Sequence, residues 1–321
     1  MNAILRRPQA RVGLLYLALL VLVAVFSDLI ASSAPIVMSK HGHVSVLPAV
    51  TAPASVQGRN AAAIAASLGP DDWAVWAPIR ADERSIGTRR ITSSRDAIAL
   101  TVRAARNEVI LVFAVVLIAL LGGTLLGAFA GYASPFVDAI LARLVELGGA
   151  MPTLVLLAIA LGTHRLPPLL AFVLVLGLLR AIRTARLVRG EVLRVSGQEF
   201  VMAARALGTP PGRLLETQIL PHALGPALVS AAFTGAAVVG LESALALAGL
   251  ESPGFASWGT LLASGSSAGV LLWPALAVLL TTEAFYGLAE ACDEALSVRR
   301  RRAAEADHRS GSASRLRRAA G

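Results

Sequence analysis

Residues able to do chemistry are few in this chain and scattered. Cys292 is the only cysteine and Lys40 the only lysine, with five histidines in 321 residues. A nucleotide-binding G-x-x-x-x-G-K-[ST] loop needs a lysine followed by a hydroxyl residue, and Lys40 is followed by His41. Any ATP chemistry must therefore come from a partner. A single thiol makes neither an intramolecular disulfide nor a thiolate metal site. His41-Gly42-His43 offers two imidazoles, but no third ligand stands at suitable spacing, so a metal site is not expected. Serine, histidine and acidic residues nowhere converge on a nucleophile with its base, so no catalytic residue is assigned. What remains are isolated polar groups inside apolar stretches: Ser230 and Thr234, one helical turn apart, and Glu242. Glu146 and Glu283 stand nearer the ends of such stretches. An acid at membrane depth is costly and marks either a solute path or a hydrogen-bonded strut between helices. Small hydroxyls serve helix packing equally well.

Those groups need a scaffold, and composition says which kind. The chain is 56% hydrophobic and only 15% charged, with a mean hydropathy of +0.69. Soluble domains carry about a quarter charged residues. Apolar runs near 12–30, 108–131, 137–162, 167–186, 222–249 and 269–291 each approach or exceed the roughly 20 residues that cross a bilayer core. The expected fold is an all-α integral membrane protein with about six transmembrane helices. Arg6, Arg7 and Arg11 precede the first run, and Ala31-Ser32-Ser33-Ala34 after it resembles a signal-peptidase site. Five further spans favour a retained first helix.

Basic residues outnumber acidic ones, 29 to 20, yet the arginines gather beside hydrophobic blocks, which argues against nucleic-acid binding. Three lie in the N-terminal tail, seven between Arg180 and Arg213, and eight from Arg299 onward. With six spans these groups share one side, which the positive-inside rule makes cytoplasmic, so both termini are expected there. The organisation read from these patterns is a tail and first span at 1–30, an extracytoplasmic segment at 31–107, a five-helix core at 108–291 interrupted by a cytoplasmic loop at 187–221, and an Arg-rich tail at 292–321. Arg95 to Arg106 separates apolar and basic faces and predicts an interfacial helix. Gly123, Gly127 and Gly131 share one helical face and predict a close helix neighbour. Pro152 predicts a bend in the third span.

The cytoplasmic loop holds the most specific pattern. Ser196 and Glu199 have capping-box spacing at the start of a short helix. Gly208 suits a left-handed C-terminal turn, and Pro210-Pro211 forbid continuation. Phe200, Ala203, Ala204 and Leu207 share a face, flanked by Glu199 and Arg205. A second short helix is expected from Gly212 to Ile219, ending at Leu220-Pro221. Helices this short cannot span; an Ala-rich face suits docking against protein.

The stretch Glu199-Phe200-Val201-Met202-Ala203-Ala204-Arg205-Ala206-Leu207-Gly208, followed by Ile219-Leu220-Pro221, resembles the Glu-Ala-Ala…Gly…Leu-Pro coupling loop of ABC importer permeases of the dipeptide/oligopeptide/nickel family. Leu126-Gly127, Ala130-Gly131-Tyr132, Val137-Asp138, Arg143-Leu144-Val145-Glu146, Arg186-Leu187-Val188-Arg189-Gly190-Glu191 and Trp258-Gly259 are similar to its pattern as well. The resemblance covers roughly 86 to 296. Met202 stands where the family has the Glu of Glu-Ala-Ala, Ala246-Leu247 replace the usual Ser-Phe, and Ile86-Gly87-Thr88 with Arg95-Asp96 match the family's elements incompletely. The resemblance implies a type I importer permease, a divergent member in the bacterial inner membrane. It implies an ATPase-coupling set of Glu199, Phe200, Met202, Ala203, Ala204, Arg205, Leu207, Gly208, Leu220 and Pro221, and a translocation pathway touching Ser230, Thr234 and Glu242. It further implies a second permease subunit, two ATPase subunits, an extracytoplasmic solute-binding protein and membrane lipid as partners, with no cofactor. Peptide, nickel and other small solutes all stay open. An ion-gradient-driven transporter or a membrane scaffold is the alternative, though no internal inverted repeat supports the former.

Overall fold

A bilayer leaves no water for the backbone, so each apolar run must bond its own N–H and C=O groups and folds as a helix. The computed structural model describes residues 7–32, 34–40, 43–48, 61–69, 72–80, 94–132, 135–163, 165–250 and 255–319. His41, Gly42 and the Ile86-Gly87-Thr88 element lie outside the described residues. Helix α1 (Pro8–Val25) is followed by the single turn α2 (Ser27–Ile30). Then come β1 (Ala31–Ser32), β2 (Val37–Lys40), β3 (His43–Val46), α3 (Ala61–Ala66), β4 (Trp73–Val75) and β5 (Ile79–Arg80). The helical core follows as α4 (Ser94–Tyr132), α5 (Pro135–Ala150), α6 (Thr153–Gly162) and α7 (Pro168–Ser196). It continues with α8 (Glu199–Ala206), α9 (Pro211–Leu214), a π-turn (Leu215–Ile219), α10 (Leu220–Leu247), α11 (Trp258–Ser264) and α12 (Ala268–Ala319).

Five of these are long and apolar enough to cross a membrane. A sixth crossing results if α5 and α6, which meet at 77°, count as one broken span. The break falls at Met151-Pro152, where proline removes a helical donor and its ring crowds the preceding turn. Before α4, the chain is not purely helical: β2 pairs antiparallel with both β3 and β4, and β1 pairs parallel with β5. Met38 and Ile64 are fully buried there, with Trp76 packed against them.

Two expectations about element ends are corrected. Residues 95–106 are not a separate interfacial helix but the first turns of α4, whose Ala97, Leu100, Ala104 and Ala105 are buried. The arginines there kept the local hydropathy low, but small apolar residues on one face pack into the bundle. The fourth span does not end near 186. It runs unbroken to Ser196, because Val188, Val192 and Val195 are buried against Ala128, Val201 and Ile219.

The glycine face of α4 meets α7. A Cβ on Gly123 would fall 2.8 Å from the Ala181 carbonyl oxygen, and one on Gly127 2.5 Å from that of Ala185. At Gly131 the obstacle is the Val192 Cβ at 2.9 Å. The helices approach because nothing but hydrogen projects between them. At the other edge α1 lies on α12, where Tyr16 Oη and Thr281 Oγ1 are 3.0 Å apart and Arg7 pairs with Glu294.

Candidate functional site

The short helix α8 sits at one end of the bundle, and its N-terminal end is fastened differently from the sequence expectation. Ser196 is still helical, the last residue of α7, and its hydroxyl donates to the Val192 carbonyl at 2.7 Å. The expected capping box with Glu199 is therefore absent; Gln198 is the N-cap and caps with backbone alone. An N-cap needs extended backbone, whereas Ser196 is still helical, two residues before the cap at Gln198, so its hydroxyl bonds back within α7 instead. The C-terminal expectation holds. Gly208 has φ +83°, the Gly208 N–H donates to Arg205 O at 3.0 Å and the Thr209 N–H to Ala204 O at 3.1 Å. This pair of bonds closes a Schellman turn, which a left-handed glycine makes possible.

Val201 is the anchor: it is fully buried in the core beneath α8, with Ala204 half-buried beside it. The opposite side is bare. Phe200 is 42% exposed, Met202 52% and Leu207 88%, with Glu199, Ala203 and Arg205 also exposed. The Phe200 ring lies 5.7 Å from the His222 ring, which ties α8 to the start of α10.

The loop after Pro211 departs from expectation. No helix ends at Leu220-Pro221; the chain passes from α9 through the π-turn directly into α10, and Leu220 N–H donates to Leu215 O. Widening the turn just before Pro221 relieves the pressure of its ring on the preceding turn and accommodates the missing donor. Leu220 and Pro221 therefore belong to the foot of a span that rises from beside α8.

Ser230 and Thr234 line a cavity of about 830 Å³ between α7, α10 and α12. Ser230 Oγ is 2.9 Å from Thr184 Oγ1 on α7, and the Thr234 hydroxyl donates to Ser230 O at 2.8 Å. The same wall carries Arg180, Arg183, Arg186, Phe233 and Asp293. These arginines fall within the fourth apolar run at 167–186, and their three-residue spacing there is the signal that they share one face of a helix.

Glu242 lies elsewhere, about 12 Å further along α10 from Thr234 at 1.5 Å per residue. It is 1% exposed and accepts from the Ser257 hydroxyl, which also caps α11 by accepting from Thr260 N–H at 3.2 Å. Trp258 is buried next to this joint and its Nε1 donates to Thr101 O at 3.0 Å, so α11 is pinned to both α10 and α4. Glu108, unnoticed in the sequence because it opens the second apolar run, is equally buried, has Glu242 as its electrostatic neighbour, and its two carboxyl oxygens have no hydrogen-bond partner among the described residues.

Comparison with known proteins bears on this arrangement. A family profile described as "Binding-protein-dependent transport system inner membrane component" matches residues 123–301, from the glycine face of α4 into α12. The dipeptide transport system permease protein DppC of Bacillus subtilis (strain 168) is 31% identical over 219 residues, covering 65% of this chain and 67% of that protein. The oligopeptide transport system permease protein OppC of the same organism is 33% identical over 172 residues, 53% of this chain and 56% of its own length. Among solved structures, the inward-facing MetNI methionine ABC transporter contains a chain of the same fold, with a TM-score of 0.50 and 21% identity, covering 62% of this chain and 95% of that one. With its multi-pass helical core and a match that spans more than half its length, the chain belongs to the binding-protein-dependent transport system inner membrane components, as a divergent ABC importer permease.

Proposed function

We propose that this chain forms half of the translocation pathway of an ATP-driven importer for peptides or similar small solutes, and that α8 is the helix through which a separate ATPase drives it. The carrying observation is the bare apolar side of α8: Phe200, Met202 and Leu207 project from a helix whose other side is anchored by Val201. Apolar side chains held out on a rigid short helix at the end of a membrane bundle suit a groove on a partner protein. Motion of a docked partner passes into α7, which leads into α8, and into α10 through the π-turn. These two helices wall the cavity lined by Ser230 and Thr234. The α8 end faces the cytoplasm with both termini, in the bacterial inner membrane. A second permease completes the pathway, two ATPase subunits bind below, and an extracytoplasmic binding protein delivers the solute.

The test is affinity purification of the detergent-solubilised chain from native membranes. Recovery of a homologous permease and an ATPase is expected; the chain alone, under conditions that keep other transporter complexes intact, would refute the importer reading. Two substitutions refine it. Gly208→Val forces a β-branched residue into the left-handed region and breaks the turn that ends α8. The variant should insert normally and lose the ATPase in the same purification, whereas retained ATPase would remove α8 from the contact. Glu242 serves in this proposal as a strut for α11 and not as a solute contact. Glu242→Gln is therefore expected to leave ATP-dependent uptake by membrane vesicles unchanged, and loss of uptake by an assembled complex would return Glu242 to the pathway.

A further inference from the structure

The cavity between α7, α10 and α12 has a charge pattern that the need for a water-filled path does not explain. Arg180 is the thirteenth residue of α7, about 18 Å from its first residue at 1.5 Å per residue, and so lies near the middle of a span whose apolar surroundings are roughly 30 Å thick. Arginine at that depth is among the costliest residues to place and faces a polar cavity or a counter-charge. The counter-charge is missing. Among the described residues Arg180 forms no ion pair, and its electrostatic neighbours are Arg183, one turn along the same helix, and Tyr286. Two cations at i and i+3 repel each other.

The acids on the wall do not cancel this charge. Glu191 is held by Arg194 through bonds of 3.0 and 2.6 Å. Asp293 stands 25 residues into α12, near the α8 end and well below Arg180. Arg189, further along α7, is already satisfied by Asp138, with Nη2 donating to Oδ2 at 2.7 Å. Among the described residues neither Arg180 nor Arg183 thus has an ion-pair partner, and both stand beside the hydroxyls of Ser230 and Thr234 and the ring of Phe233, in a space of about 830 Å³. A volume of that order accepts a small solute.

We propose that the solute of this permease carries carboxylate groups in excess of its cationic ones, as an acidic oligopeptide does, and that Arg180 and Arg183 are the residues that receive them midway through the membrane. The inference rests on the permease reading above and names the substrate class within it. A planar guanidinium donates two parallel N–H bonds to one carboxylate, and neighbouring arginines that repel when empty become favourable around an anion. The same field disfavours divalent metal cations, so a bare nickel ion does not fit this path.

The test reads the cavity's charge without requiring transport. The full chain, with its bound subunits and with Ser230→Cys placed in a Cys292→Ala background, is reconstituted into phosphatidylcholine nanodiscs. Labelling rates are measured with an anionic and a cationic methanethiosulfonate reagent, each relative to its rate on free thiol. The anionic reagent is expected to be favoured by about tenfold or more, as a focused positive field implies. The preference should survive Arg180→Lys and collapse in Arg180→Gln/Arg183→Gln. Equal rates, preference for the cation, or labelling by neither reagent in the chain with both arginines would overturn the proposal, with no charge-removing variant needed. Anion-selective labelling that phosphatidylglycerol shuts off would assign the arginines to a lipid headgroup, and would overturn it too. Because neither ATP nor a transported solute enters the measurement, its failure is separate from failure of the importer reading, which stands or falls on recovery of the ATPase.

Discussion

Gly127→Val is expected to unfold the bundle or lower its melting temperature steeply in detergent. A Cβ at this position would lie 2.5 Å from the Ala185 carbonyl oxygen and 2.7 Å from the Val188 Cβ. The first obstacle is backbone, which no rotamer change can remove, so α4 and α7 must separate. Overpacking a tight contact costs about 1–3 kcal/mol and sometimes more. The cost rises here because the same face continues through Gly123 and Gly131, so one separation loosens three contacts. Gly240→Ala is the matched control: Gly240 is inside α10, and a Cβ there meets nothing within 4 Å. Alanine at an open helical site should stabilise by about 0.5–1 kcal/mol. Size-exclusion profiles after a heat step separate the two. Equal survival of Gly127→Val and Gly240→Ala would mean that α4 and α7 do not touch along this face.

The glycine face also shows which features the sequence carries plainly. Four-residue spacing within one apolar run names a close approach, though not the partner helix, since the partner is chosen by the bundle. Gly208 was equally legible, because a glycine after a short amphipathic stretch and before two prolines has few other uses. Helix ends were less so. The Ser196–Glu199 spacing satisfied a local rule, yet α7 continues through Ser196 because Val188, Val192 and Val195 are buried by residues of other elements, Ala128 before them and Val201, Leu214 and Ile219 after. Local hydropathy ended that span near 186 because Arg186, Arg189 and Arg194 interrupt it. One of these arginines turns to Asp138 and another to Glu191, and the helix beneath them is unaffected. Arg180 and Arg183, inside the same run, were counted with the cytoplasmic arginines, and their place on the cavity wall was not legible from charge alone. The β-strands before α4 carried little signal, being two to four residues long, and only the four residues His43-Val44-Ser45-Val46 alternate polar with apolar. Glu108 was hidden at a boundary drawn by hydropathy, whereas its partner Glu242, set well inside a run, stood out.

Phe200→Asp combined with Leu207→Asp is expected to abolish ATPase association while leaving the chain inserted and folded. The neighbouring change Val201→Asp should instead prevent folding. The contrast follows from one helix having two unlike sides. Phe200 and Leu207 are 42% and 88% exposed, so carboxylates there meet water when the chain is free. Val201 is fully buried among Val195, Leu214 and Ile219, where an unpaired charge has no compensation. If α8 fills a groove on the ATPase, each exposed anchor is worth about 2 kcal/mol or more in the contact, and losing two weakens binding by about a thousandfold. Met202 extends the same apolar surface at the position where the family pattern has a glutamate. Docking should therefore depend on buried area more than on charge, and raising the salt concentration should weaken it little. Copurification of the ATPase, monitored beside size-exclusion behaviour of the permease, distinguishes the outcomes. Unimpaired ATPase recovery with both aspartates in place would show that the partner is held elsewhere. A Val201→Asp chain that folds and still binds would show that α8 is not seated on the bundle through that residue.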